Sequence, residues 1–326
     1  MKKLTRKIFV AILITTVSFS LQACNDKGQI PDKKEDETLE VYDLKITDMH
    51  IRDPFIYVDQ KTKSYYLHAN GGKKFSVYTS LDLVNWKALG NSFVPSSDFW
   101  GQRDFWAPDV YEYNGKFYLF ATFSGNTRKR GVSILIGDKP EGPFSPLVNT
   151  AVTPENWGCL DGSLYIDEKQ EPWIIFCHEW LESIDGEIVA QQLTKDLTKP
   201  VGEPKVLFKA TNALWVGAIS AQGVTGYVTD APFIYKLNNG ELIMIWSSFT
   251  KNGRYAIGLA RSKSGSLIGP WEHNKEPINS DDGGHAMLFT DLKGRLMISY
   301  HAPNSQTERP KIREVYINDG NLIFSF

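Results

Sequence analysis

One pattern recurs five times along this chain: a short turn bearing an acid or a histidine, an apolar strand, a polar turn, and a second apolar strand. It reads RDPFIYVDQKTKSYYLHAN from Arg52, APDVYEYNGKFYLFATFS from Ala107, LDGSLYIDEKQEPWIIFCHEW from Leu160, TDAPFIYKLNNGELIMIWSSF from Thr229 and GHAMLFTDLKGRLMISYHAP from Gly284. The aromatic closing each first strand falls at Tyr57, Tyr111, Tyr165, Tyr235 and Phe289, so the steps are 54, 54, 70 and 54 residues. A repeat of this size suits one blade of four antiparallel strands, and blades set radially around an axis leave only short, protected edges. The expected fold is all-β, a five-bladed β-propeller with one insertion in its third unit.

The outer half of each unit follows its inner hairpin. KFSVYTSLDLVNWKAL, GVSILIGDKPEGPFSPL, EIVAQQLTKDLTKPVGEPKVLF, YAIGLARSKSGSLIGPWEH and PKIREVYINDGNLIFSF each read as strand, turn and strand, with Asp, Asn, Gly or Pro in the turn. The aromatic content of 13% suits strands, and no long helical period interrupts them. A formal net charge of −2 leaves no basic footprint for nucleic acid.

Residues 1–23 belong to a different class of segment. Lys2, Lys3, Arg6 and Lys7 precede an apolar stretch from Ile8 to Leu21, too short to span a bilayer and followed by LQAC at Leu21 to Cys24. LQAC resembles a bacterial lipobox, which implies cleavage before Cys24, lipidation of its thiol and anchoring of an exported protein to the cell envelope. Residues 24–40 read as a polar tether, and 41–326 as the propeller. Cys159 and Cys177 are the remaining cysteines; export would permit a disulfide, and two buried free thiols fit equally well. No Cys or His cluster has zinc spacing.

Chemistry is expected where the five innermost strands begin, because these line the axis. With Phe55-Ile56-Tyr57, Asp109-Val110-Tyr111, Ser163-Leu164-Tyr165, Phe233-Ile234-Tyr235 and Met287-Leu288-Phe289 in register, the residue two before each trio is Asp53, Ala107, Asp161, Ala231 and His285. Asp230 stands one step earlier in the fourth unit. An Asp before a strand commonly caps a turn. Three acids converging on one axial pocket point instead to carboxylates set against each other for acid–base work, since like charges repel and the cost grows as water is excluded.

Taken in order, RDPFIY, WAPDVYEYNGKFYLF from Trp106, LDGSLY, TDAPFIYKLNNGELIMIWSS and GGHAMLF from Gly283 resemble glycoside hydrolase family 43 over about residues 48 to 326. The resemblance implies an inverting mechanism on substrates bearing arabinose, xylose or galactofuranose. It implies Asp53 as general base, Asp161 as the acid that orients the proton donor and raises its pKa, and Asp230 in the donor position, where most members carry a Glu in a Glu-Gly-Pro setting. It also implies a water or ion contact at His285, sometimes a central calcium with no other cofactor required, and a pocket role for Arg309. The Glu-Gly-Pro at Glu141 to Pro143 falls in an outer half and is expected far from the axis.

Sugar rings stack their apolar faces on aromatics, and Phe55, Trp106 and Trp157 lie near strand starts, with Trp100 and Phe105 as rim candidates. Trp173 and Trp246, inside second strands, read as core. The expected activity is release of terminal pentosyl or furanosyl residues from polysaccharide by an enzyme anchored through lipid, with α-L-arabinofuranosidase ahead of β-xylosidase and β-galactofuranosidase. A sugar-binding propeller that has lost its donor is the alternative. A retaining fructan-type propeller fits poorly, for its Asp-Pro-Asn and Glu-Cys signatures do not appear.

Overall fold

The polar turns between first and second strands fold for local reasons. Asp59, Asp167 and Asp291 each end an innermost strand and accept backbone N–H groups two to four residues on, such as Lys61 to Asp59 at 2.8 Å and Arg295 to Asp291 at 2.8 Å. In the second unit Asn114-Gly115 does the same work with both residues at positive φ, 49° and 75°, the conformation a two-residue hairpin requires. Apolar strands on either side then pair antiparallel.

The computed structural model describes residues 41–325, and the leader 1–23, the tether 24–40 and Cys24 lie outside them. The strands build five blade sheets, each contiguous in sequence, and one two-stranded hairpin. The first blade holds Phe55–Asp59, Ser64–Asn70, Phe75–Ser80 and Asn85–Phe93, with Leu44–Lys45 added at its outer edge. The second runs from Arg103–Tyr113 to Ser145–Pro146, the third from Cys159–Ile166 to Pro200–Lys209, the fourth from Asp230–Lys236 to Glu272–His273, and the fifth from Gly284–Thr290 to Asn321–Phe324. This is a five-bladed β-propeller with four antiparallel strands per blade, plus that one edge strand.

Apolar side chains fill the gaps between neighbouring blades rather than one central core. Ile175, Cys177, Met244 and Trp246 pack together between the third and fourth blades, and Ile245, Ile257, Leu288 and Ile298 between the fourth and fifth. Trp246 is core, as expected, and Trp173 is partly buried beside it. Leu160 faces Cys177 across the third sheet while Cys159 faces His178, so the two cysteines sit one register step apart. Their thiols join different interblade clusters, on opposite faces of the sheet, and both are free; a disulfide between them is ruled out by the pleat.

The insertion in the third interval is a hairpin, Ile219–Ala221 with Val224–Gly226. It docks on the short helix Trp180–Ser183: Tyr227 N donates to Ile184 O and Gly186 N to Tyr227 O, each at 2.8 Å. Among the described residues no strand is exchanged between the first and last blades. Side chains close the ring there: Ser299 Oγ donates to Pro54 O at 2.9 Å, Leu292 N to Tyr65 Oη at 2.9 Å, and Met287, Phe289 and Met297 enter the first blade's apolar cluster.

Candidate active site

The register read from sequence is written into the backbone. Asp53, Ala107, Asp161, Ala231 and His285 all lie in the left-handed region, with φ between 46° and 55°. None is glycine, so each costs of order 1–3 kcal/mol, and five such costs at one level of one axis mark a functional constraint. In blades two to five a bulge spans this position, from Trp106 to Asp109, Leu160 to Ser163, Asp230 to Phe233 and Gly284 to Met287. Bulges re-aim side chains, and here they turn the strand starts toward the axis.

The five preceding residues, Arg52, Trp106, Leu160, Asp230 and Gly284, form the ring above. Four of them line a cavity of about 400 Å³, together with Asp53, Asp161 and His285. Gly284 leaves the fifth place to a neighbour, since a Cβ there would stand 2.2 Å from the Tyr255 ring. Beneath lies a narrow channel of about 10 Å³ reached by Phe55, Asp109, Phe233 and Met287.

Electrostatics separate the carboxyls. Burial would push Asp53 up, but His285 Nδ1 at 3.1 Å, His301 Nδ1 at 3.3 Å and Arg52 Nε at 3.8 Å oppose it and hold its pKa well below the usual range. Burial pushes His285 down to about 4, so near neutrality it meets Asp53 as a neutral N–H donor. Asp230 moves the other way: burial, with the charges of Glu179 and Asp53, lifts it to about 7 although Tyr255 Oη donates to its Oδ2 at 2.9 Å. Burial and the charges of Asp230 and Asp53 likewise raise Asp161, whose Oδ2 accepts Ala231 N at 3.2 Å. Asp161 and Asp230 therefore titrate as a pair. One ionised carboxylate and one proton-holding pair face the same cavity.

Positioning comes from the second strands. Thr122 Oγ1 accepts Asp161 N at 2.9 Å, Ser247 Oγ accepts His285 N at 2.8 Å, and His301 Nδ1 lies 3.3 Å from Asp53 N, each reaching from the preceding blade. Sequence reasoning passed over these residues, and over Asn70 in the corresponding place of the first blade, although they share one register. Each stands two residues beyond the partner of a trio's first member. Asn70 lines the cavity with its buried Oδ1 unpaired.

Glu179 and Arg130 were also passed over. Glu179, in the HEW that follows the third blade's second strand, is 7% exposed, lines the cavity and is ion-paired with Arg130 Nη1; burial raises its pKa against that pair. Arg130 Nη2 also meets Asp104 at 3.2 Å, and its guanidinium lies 4.3 Å from the Trp106 ring centre. One face of Trp106 is thus covered by a cation, and only its remaining surface is open to a sugar.

Several expected contacts lie elsewhere. Phe55 is buried against Tyr111 at 5.3 Å and reaches only the channel. Trp157 lines neither space; it stacks on His178 at 4.4 Å, because the loop before the third blade folds outward over that strand end. Phe105 is 3% exposed inside a cluster with Phe75, Phe93, Phe99 and Phe123, and Trp100 packs on Phe123 with Nε1 bonded to Ser133, so neither is a rim. Arg309 is spent on carbonyls at the ring closure, those of Thr47, Thr307 and Glu308, and on His50 Nδ1. Glu141 lines neither space either; the outer turn carrying it and its Gly-Pro-aromatic counterpart in the fourth blade both contain a cis Gly–Pro bond, at Gly142–Pro143 and Gly269–Pro270.

Residues 45–321 match the family model described as Glycosyl hydrolases family 43. The chain belongs to glycoside hydrolase family 43. This family 43 enzyme is similar to a crystal structure described as an endo-arabinase from Bacteroides thetaiotaomicron VPI-5482, 62% identical, covering 86% of this chain and 99% of that one, with a TM-score of 0.85. It is 25% identical over 271 residues to an extracellular exo-α-(1→5)-L-arabinofuranosidase of Cellvibrio japonicus, covering 76% of this chain and 73% of that protein. An extracellular endo-α-(1→5)-L-arabinanase of Bacillus subtilis is 28% identical over 228 residues, 64% of this chain and 62% of that protein. Among the described residues, no group of three or more His, Cys, Asp or Glu side chains is arranged to hold a metal.

Proposed function

We propose that this glycoside hydrolase cleaves α-L-arabinofuranosyl linkages of arabinan with inversion, using Asp53 as base and Asp230 as proton donor. The observation that carries the reading is the opposed proton affinity of two carboxyls on one cavity. Asp53, ionised, takes a proton from a water; that water's oxygen bonds to the anomeric carbon as the glycosidic bond breaks, and Asp230 gives its proton to the departing oxygen. Burial and the charges of Glu179 and Asp53 keep that proton on Asp230, while Asp161, which titrates with it as a pair, accepts from the backbone of Ala231. The names of the relatives above support arabinose as the sugar.

The inserted hairpin supports action at chain ends. Ile219, Ala221 and Gln222 wall the cavity on one side, where a chain would otherwise run on. The name of the 62% identical structure favours a second reading, cleavage within the chain. Products from linear arabinan separate the two: arabinose alone from the first minute supports terminal release, and early oligosaccharides overturn it. On aryl α-L-arabinofuranoside, β-D-xyloside and β-D-galactofuranoside, turnover is expected on the first. Asp53→Asn and Asp230→Asn should each lose about 10²- to 10⁴-fold in kcat with the fold intact. A product with retained anomeric configuration by NMR would sink the single-displacement mechanism.

A calcium below the sugar does not fit this chain well. Calcium takes six to eight oxygens, whereas the channel offers room for about one water and Asp109 there is raised by burial toward its neutral form. No step is routed through a metal, and chelator is expected to leave turnover unchanged.

We also propose export and lipid anchoring through Cys24, supported by the basic start, the short apolar stretch and LQAC. Cys24→Ser should move the protein from the membrane fraction to the soluble one and abolish labelling by a fatty-acid probe.

A further inference from the structure

Two further grooves lie beside the catalytic cavity. Tyr255, which bonds Asp230 through its hydroxyl, also lines a second groove of about 620 Å³, and this shares Leu214 and Lys275 with a third of about 600 Å³. Tyr255, 2% exposed, is the wall between the catalytic cavity and the second groove, and Leu214 and Lys275 join the second groove to the third. The second groove is basic. Lys251, Arg254 and Lys275 line it against a single acid, Glu276, and among the described residues none of the three cations has a carboxylate at ion-pair distance. This is the reverse of the catalytic cavity, where four acids gather, and of the chain's net charge of −2.

A neutral polysaccharide would leave the charge of these cations uncompensated. The aromatic that would suit such a chain, Trp215, is 5% exposed, so the groove offers charge where a stacking platform would be needed. We propose that this groove is a subsite for a sugar carboxylate, a hexuronate residue carried by the same glycan whose neutral sugar occupies the catalytic cavity. The proposal rests on the reading of the substrate as a polysaccharide, and goes beyond it by naming an acidic component.

Equilibrium binding to the full chain tests it, with Asp53→Asn as background so that nothing is hydrolysed. The probes are trigalacturonate, its methyl ester, which keeps the shape and loses the charge, and a xylotriose bearing one glucuronate. An acid probe should bind, weaken as salt rises, and bind more weakly as its ester. Lys251→Ala with Lys275→Ala should weaken it about three- to thirtyfold, the product of two exposed charge pairs. Whichever acid binds more tightly names the uronate. Equal binding of acid and ester, or unchanged binding in the double variant, overturns the proposal. The same double substitution in the otherwise native chain should leave turnover of an aryl arabinofuranoside unchanged, since that substrate fills the catalytic cavity alone. Because binding is read without hydrolysis, failure of the two-carboxyl mechanism and failure of the subsite are separate results.

Discussion

At the scale of single residues, the site works by making chemically similar carboxyls unlike. Asp53 is depressed, so it is ionised throughout the neutral range, and activity should fall only in acid as it takes a proton. Asp230 is raised to about 7, so activity should fall on the alkaline side as the donor loses its proton. Glu179→Gln removes a negative neighbour of Asp230, and the alkaline limb of kcat/KM should shift to lower pH while the acid limb stays. An unmoved alkaline limb would show that Glu179 does not help hold the donor's proton. Asn70 offers an unpaired carbonyl oxygen at the cavity wall; Asn70→Ala should raise KM about three- to tenfold with kcat little changed, the loss of one hydrogen bond to a sugar hydroxyl.

Blades and their strands were readable because one register governs them. The same offset from five aromatics located Asp53, Asp161 and His285 and the five left-handed positions, and it would have located Thr122, Ser247 and His301 had it been carried to the second strands. What escaped was whatever depends on contact across blades. Arg130 belongs to the second blade and Glu179 to the third, and nothing in either repeat announces that they meet. Trp157 failed for the converse reason, since nearness to a strand start does not fix where a loop side chain turns, and Arg309, expected in the pocket from the family resemblance, turns to carbonyls at the ring closure instead. Gly284 is legible only in three dimensions: Gly284→Ala should drive the Tyr255 ring off Asp230, lowering kcat at least tenfold, and far-UV circular dichroism should stay that of the parent. A wild-type kcat would mean that Tyr255 is not needed where it stands.

For the whole molecule, the buried acids set function against stability. Asp161 and Asp230 bind protons more tightly folded than unfolded, so between about pH 4 and 7 the folded state holds more protons and stability falls as pH rises through that window. Asp230→Asn should therefore raise Tm near neutrality while cutting turnover, and should flatten the dependence of Tm on pH across the same interval. An unchanged Tm profile would show that burial of this carboxyl is not costly. The ring's closure carries a further consequence. Asp53 stands on the first blade, yet the imidazoles beside it, His285 and His301, stand on the fifth, across a junction bridged by side chains such as Ser299 to Pro54 and by no shared strand. Parting of that seam by even an ångström would strip the base of its partners while every sheet remained intact, so on gentle heating this enzyme should fall silent before it melts.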